Sequence, residues 1–204
     1  QRRVWAEHTY THRAATVLDL ALPQQDGSWQ PSNPSVSVVL STNRPDRLGQ
    51  AMDSVAAQRG VSPQVVLVCH GFDPDAARAA ELAAQRGIED LVIVPAPRDW
   101  SLGSCLNAGV QASSGAVIAK MDDDDWYGPD YLADQLAILR VTQADVVGKQ
   151  ASYLYVQSYD ATLLRFGERE HRWTDFVLGP TLMAAREVFE AHPFRDRTTG
   201  EDTG

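Results

Sequence analysis

AVIAKMDDDDWYGPDYL, residues 116–132, sets four consecutive aspartates at the end of an apolar run and directly before an aromatic pair. Adjacent carboxylates repel one another, so a compensating cation or full hydration must offset them. AVIAKM has the length and apolar density of a buried strand. Pro129 and Asp130 open a helix whose Leu132, Leu136, Ile138 and Leu139 give it an apolar side. A strand that delivers carboxylates to a loop opening a helix is the layout of a ligand site beyond the carboxyl end of an open α/β sheet. Hard carboxylate oxygens at such a place suit Mg²⁺ or Mn²⁺. Mg²⁺ commonly takes one or two protein carboxylates and completes its shell with phosphate and water. The plainer alternative is a solvated acidic turn, or aspartates favoured by the dipole of the following helix. The place between a buried strand and WYGPDYL weighs against it. An EF-hand loop fits poorly, because the alternating ligands, central Gly and closing Glu are absent.

Upstream, short apolar runs alternate with helical patterns, the sequence form of βαβ units on a mostly parallel sheet. VSVVL (36–40), QVVLVC (64–69) and LVIVP (91–95) read as the first three strands, and AVIAKM as the fourth. Between them, Pro45 starts a helix carrying Leu48, Ala51, Met52, Val55 and Ala56 at helical spacing, with Gly60 expected as its left-handed end. Asp73 and Pro74 open a second helix, ended at Gly87. WSLGS leads into a third, around CLNAGVQA, that Gly115 ends. Downstream of the aspartates, VVGKQASYLYV, ATLLRF and TLMA read as extended segments and AREVFEAH as a helix. Residues 1–22 read as a loosely periodic helix and 23–34, PQQDGSWQPSNP, as a Pro-rich linker, leaving 35–204 as one α/β domain.

With 204 residues and 44% hydrophobic content, the chain can bury a real core. A net charge of −9 argues against nucleic-acid or anionic-membrane binding, both of which need a basic face. Cys69 and Cys105 lack CxxC spacing, so neither a disulfide framework nor a zinc site is expected. The simplest setting is a reduced cytoplasm, or the inner face of a membrane as a peripheral protein. No apolar run reaches the length of roughly 20 residues that spans a bilayer. A start without Met and an end at GEDTG suggest a piece of something longer.

VSVVLSTNRPDRLGQAMDSVAAQ, SLGSCLNAGVQASSGAVIAKMDDDDWYGPDYL, GPTLMAAREVF and GED stand in the order found in one family. The chain resembles the family 2 glycosyltransferases of the GT-A fold over about residues 35–204. That resemblance implies a Rossmann-like, mostly parallel sheet flanked by helices, a single nucleotide-sugar-binding domain with a metal-binding DxD motif. Asp122 and Asp124 match the DxD pair and would be the metal-binding acids. By that resemblance Asp124 would be the direct ligand, Asp122 or Asp123 would face the donor ribose, and Asp125 extends the motif. Ser41, Thr42 and Asn43 match the nucleoside-contacting loop after the first strand. Gly103 and Asn107 match the loop and helix that pass close to the donor, although Leu106 stands where the family commonly has Arg. The family's acidic end to the second strand is replaced by CHGFD, which leaves uracil specificity open. His70 there is either a ligand to base or phosphate through a ring nitrogen or a structural residue. Asp202 of GED matches the general base of an inverting transfer, with Glu201 beside it, and a frayed acidic tail is the alternative. GPT at 179–181 resembles the segment before the acceptor-side helix. For Trp126, Tyr127, Tyr155 and Trp173, core packing is the first expectation and stacking on a sugar the second.

The implied activity is Mn²⁺- or Mg²⁺-assisted transfer, with inversion, of a sugar from a nucleotide-diphosphate donor to a hydroxyl acceptor on a glycan or lipid-linked glycan, in cell-surface polysaccharide or glycoconjugate synthesis. The missing QxxRW motif and the lack of membrane helices disfavour a polymer-extruding synthase. WAEHTYTHRAATVLDLAL faintly resembles the last helix of a GT-B-like domain, which implies a fused glycosyltransferase-like domain upstream. Two alternatives stay open. A nucleotidyltransferase would want a Gly-rich basic loop after the first strand, where STNRPDRL offers Arg44 and Arg47 but no Gly cluster. A non-catalytic nucleotide-sugar-binding domain of the same fold would suit the CHGF departure.

Overall fold

The computed structural model describes His12, Arg13, Val17 and residues 33–202. Contacts divide the chain into Gln1–Pro34 and Ser35–Gly204. In the first unit His12, Arg13 and Val17 are helical, Asn33 and Pro34 are not, and the rest of the expected helix and most of the linker lie outside the described residues.

The second unit is built on a six-stranded sheet. Its strands are β1 (Val36–Thr42), β2 (Gln64–His70), β3 (Leu91–Ala96), β4 (Val117–Asp122), β5 (Val146–Val147) and β8 (Met183–Ala185). The order is β3-β2-β1-β4-β8-β5. β1 to β4 are mutually parallel, whereas β8 runs antiparallel to both β4 and β5. β6 (Ser152–Val156) and β7 (Ala161–Arg165) form a separate antiparallel hairpin. The helices are α1 (Leu48–Ala56), α2 (Ala76–Gln85), α3 (Leu102–Ala112), α4 (Tyr131–Thr142) and α5 (Arg186–Ala191).

Side chains along a strand point alternately to the two faces, and the core follows that period. Val36, Val38 and Leu40 pack with Met52, Val55, Ala83, Leu132 and Leu136 on the face covered by α1, α2 and α4. Val39, Val66, Val68 and Ile118 pack with Cys105, Leu106, Val110 and Phe189 on the face covered by α3 and α5. Burial on both faces explains why these strands read as unbroken apolar runs.

The chain steps outward from β1 to β2 and β3, then crosses back by α3 to place β4 on the other side of β1. The strand order therefore reverses between β1 and β4. In doubly wound sheets ligands enter the crevice at that reversal, outside the strands' carboxyl ends. Thr42 and the aspartates stand there.

Several element ends differ from the sequence reading. α1 stops at Ala56, and Gly60, with φ +72°, shapes the loop beyond it instead of capping the helix. The cap of α2 is Asp75, whose carboxylate accepts the Arg78 N–H at 3.0 Å, two residues past the expected Asp73. α3 ends at Ala112, and Gly115 instead lets the chain pass close to Ser37, whose hydroxyl accepts the Gly115 N–H at 2.8 Å. Ile138 faces outward, leaving Leu132, Leu136 and the partly buried Leu139 as the apolar side of α4.

Candidate functional site

Register brings the carboxyl ends of the parallel strands level. Ser41 pairs with Asp122, Thr42 with Cys69, and His70 with Ala96. The four aspartates leave β4 here, and each meets a different environment.

Asp122, the last residue of β4, is held by Lys120 of the same strand, whose ammonium donates to its carboxylate at 2.8 Å. Lys120 is itself buried, and a buried ammonium requires such a partner. Asp123 turns inward and is only 5% exposed. It accepts the Thr42 hydroxyl at 2.5 Å and a two-pronged interaction from the Arg44 guanidinium, through Nε at 3.0 Å and through Nη2. Asp124 is exposed and meets Arg44 Nη2 at 3.1 Å. These contacts raise the Arg44 pKa above its ordinary value, the Asp123 hydrogen bond contributing most. Asp125 carries a carboxyl pushed above the usual range, first by desolvation and then by repulsion from Asp122 and Asp124. Four carboxylates thus share two built-in cations, leaving a formal surplus of two negative charges.

Tyr127 ties this loop to the GPT turn. Its hydroxyl accepts the Asp122 N–H at 2.9 Å and donates to the Pro180 carbonyl at 2.9 Å. Tyr131 and Gln135 donate to the Thr181 carbonyl at 3.2 and 3.0 Å. Burial raises the pKa of both tyrosines, so their hydroxyls remain protonated donors. Tyr127 and Tyr131 pack with ring centroids 4.9 Å apart.

The GED segment returns to the same end of the sheet. After α5, Phe194 stacks on Phe189, and the Asn107 amide grips the Phe194 backbone in both directions at 2.9 Å. The Asp196 carboxylate accepts the Ser101 and Ser104 hydroxyls at 2.6 and 2.7 Å, which lowers its pKa. Gly103 N–H donates to the Arg197 carbonyl at 3.0 Å. Gly200, at φ +70°, supplies the left-handed turn that lets Arg195 N–H reach the Glu201 carbonyl at 3.0 Å. Glu201 is buried, whereas Asp202 is exposed and lies against Gly179, where an added Cβ would overlap its carboxylate.

The structure therefore brings together part of the site residues expected from sequence. Thr42, Asp122, Asp123 and Asp124 converge at the switch point, and Glu201 and Asp202 are carried to its GPT side. Gly103 and Asn107 hold the returning C-terminal segment with the contacts just described. Ser41 directs its hydroxyl to the buried Cys105 thiol, and Asn43 is exposed. At the end of β2, His70 Nε2 is buried without a hydrogen-bond partner among the described residues. An open cavity of about 380 Å³, lined by Phe72, Asp73, Ala96 and Arg98 among others, adjoins this strand end.

Of the four aromatics, Tyr127 is core, whereas Trp126, Tyr155 and Trp173 are exposed, so core packing is corrected for those three. The sequence reading missed Lys120 and the Arg44–Asp123 pair. Their signals were a lone Lys inside an apolar strand and a basic residue two positions past the end of β1.

Residues 37–184 match the model of the family described as glycosyl transferase family 2. The chain belongs to glycosyl transferase family 2. This family 2 chain is 31% identical over 108 residues to the amylovoran biosynthesis glycosyltransferase AmsE of Erwinia amylovora, covering 50% of this chain and 40% of that protein. It is 33% identical over 138 residues to the succinoglycan biosynthesis protein ExoO of Rhizobium meliloti (strain 1021), covering 65% and 37%. The matches thus span about two fifths of the length of these curated relatives. Among solved structures it resembles the mannosyltransferase PcManGT from Pyrobaculum calidifontis in complex with GDP-Man and Mn²⁺, with a TM-score of 0.63 at 18% identity over 95% of this chain and 59% of that one. It also resembles S. aureus TarS in complex with UDP-GlcNAc, with a TM-score of 0.60 at 14% identity over 82% and 52%. At these identities the likeness is one of fold, and the fold is GT-A. No helix among the described residues is long and apolar enough to cross a membrane.

Proposed function

We propose that this domain transfers a sugar, with inversion, from a nucleotide-diphosphate donor to a hydroxyl of a glycan or lipid-linked acceptor in cell-surface polysaccharide or glycoconjugate synthesis. The observation that carries the reading is the Asp122–Tyr127–Pro180 relay, which ties the acidic loop to the turn on which Asp202 rests. Donor-side acids and a candidate base thereby share one end of the sheet. Family membership supports the chemistry, and the names of AmsE and ExoO support the polysaccharide setting.

The donor set fits Mn²⁺ or Mg²⁺. Its side chains are hard carboxylate oxygens carrying an uncompensated double negative charge. Among the described residues no three acidic, His or Cys side chains form an all-protein cage, which suits a cation that takes one or two carboxylates and shares a diphosphate. Asp124, exposed and held only at its edge, would be the first ligand, and Asp122 the second. Bound there, the cation would supply positive charge to the departing diphosphate. Asp123, already engaged by Thr42 and Arg44, would set the loop's shape next to the ribose. Thr42 and Asn43 would line the nucleoside side. His70 Nε2 would meet the base or a phosphate, which would give its buried nitrogen a partner. Gly103 and Asn107 would act by seating the C-terminal segment. Asp202 would accept the acceptor's hydroxyl proton as the oxygen attacks the anomeric carbon, and buried Glu201 would anchor it.

Calorimetric titration with UDP, GDP, CDP and dTDP, each with Mn²⁺ and with chelator, tests the donor side. One nucleotide is expected to bind in a metal-dependent way, with a loss of at least about tenfold in Asp124→Ala, since about 1.4 kcal/mol of lost charge stabilisation suffices for that factor. Binding by none of them to the folded domain would sink the reading.

A further inference from the structure

We propose that Arg44 is an exchangeable internal cation of this site: it bridges Asp123 and Asp124 and transfers from Asp124 to the donor's diphosphate when a divalent cation is seated. The inference rests on the donor-site reading above and adds to it a residue that couples the two ligands.

The two halves of the Arg44 bridge are unequal. Asp123 is 5% exposed and takes both prongs of the guanidinium together with the Thr42 hydroxyl, an arrangement that fixes its geometry. The Asp124 side chain is 50% exposed and, among the described residues, takes a single contact at 3.1 Å. Exposed single contacts contribute little, about 0–1 kcal/mol, so the Asp124 half is the one that can open. Lys120 offers no such freedom. Its side chain is 3% exposed and lies along β4, committed to Asp122.

A divalent cation at Asp124 and a guanidinium on the same carboxylate repel each other and compete for the same oxygens. Occupation of Asp124 by one therefore disfavours the other. The released Arg44 stands at the β1–β4 switch point, 37% exposed, with a planar fork of donors that matches a phosphate as well as it matches a carboxylate. A diphosphate that engages it removes the competitor from Asp124. By linkage the diphosphate then tightens the cation and the cation tightens the diphosphate by the same factor. The site consequently favours both ligands together over the bare cation.

Mn²⁺ binding, followed by electron paramagnetic resonance with and without each of UDP, GDP, CDP and dTDP, reads both halves of the exchange without turnover. Arg44→Gln is expected to bind Mn²⁺ alone about two- to fivefold tighter, the range set by one partly exposed ion pair. The same variant in saturating Mn²⁺ is expected to bind the nucleotide at least about tenfold more weakly, through loss of a charge-assisted phosphate contact. Opposite signs are the signature. A merely structural Arg44 would weaken both, and that result overturns the proposal. Mn²⁺ affinity unchanged in Arg44→Gln but abolished in Asp124→Asn also overturns it, while leaving the cation site intact. Failure of the parent chain to bind Mn²⁺ with any of UDP, GDP, CDP and dTDP overturns the exchange and the donor-site reading together. Should Arg44→Gln not fold, Arg44→Lys decides, because one ammonium cannot span both carboxylates. The same opposite signs are then expected at smaller amplitude.

Discussion

At the residue scale, four identical side chains in sequence become four different ones in structure. Asp122 is paired to a buried lysine, Asp123 is turned into the protein, Asp124 is exposed beneath a guanidinium, and Asp125 carries a raised pKa. The run could be read as a cation site because its charge had to be offset. The division of labour could not, since it depends on which way the chain turns after β4. That turn is set by Tyr127, whose hydroxyl satisfies the Asp122 N–H and the Pro180 carbonyl at once. Tyr127→Phe would keep the ring packing and strand both backbone groups. A loss of about 1–3 kcal/mol in urea denaturation is expected, the cost of leaving buried polar groups unpaired. Metal-dependent nucleotide binding should weaken with it. A variant as stable as the parent and with the same affinity would show that water replaces the hydroxyl and that Tyr127 does not set the loop.

At the element scale, strand and helix identity was legible because burial on both sheet faces leaves unbroken apolar strands, and helices repeat at their own period. The ends were less so. Gly60 and Gly115 look like helix stops in sequence, but one shapes a loop and the other admits a neighbouring strand. Glycines inside helices carried a different message. Gly109 of α3 sits where a Cβ would overlap the Val39 side chain and lie 3.1 Å from that of Val68, so the helix rests directly on β1 and β2. Gly109→Ala would gain up to about 1 kcal/mol of helix propensity. Against that, overpacking a tight core costs about 1–3 kcal/mol. Val39 and Val68 are at most 1% exposed and have nowhere to retreat, so the clash should win. A lower urea midpoint at unchanged slope is expected, and a higher midpoint would mean that α3 can lift off the sheet. Because α3 also carries Ser101, Gly103 and Asn107, its seating fixes where the C-terminal segment docks.

At the scale of the whole molecule, the site is assembled by topology. Parallel strands β1 and β4 supply the switch point, and antiparallel β8 leads out of the GPT turn into α5 and the returning segment. Motif order pointed to these parts, but no local pattern revealed that Asn107 and Ser101 would hold residues 194–197, because those contacts span almost ninety positions or more. The hairpin β6–β7 was equally opaque. Its Tyr153, Leu154 and Tyr155, and its Leu163 and Leu164, run unbroken as in the strands of the core sheet, yet all are exposed. The longest-range consequence concerns Asp202, which lies 23 residues beyond the glycine it touches. Gly179 has an ordinary backbone conformation, so alanine there strains nothing locally, and among the described residues the only conflict is with the Asp202 carboxylate. That carboxylate must move. If Asp202 removes the acceptor proton, a displacement on the order of 1 Å is expected to lower kcat by up to about a hundredfold. Mn²⁺-dependent nucleotide binding, which the proposed function assigns to the acidic loop, should stay as it is. Release of nucleotide diphosphate from the donor measures the first, and calorimetry the second. Equal losses in both would place Gly179 in the donor site, and a kcat that does not move would remove Asp202 from the role of base.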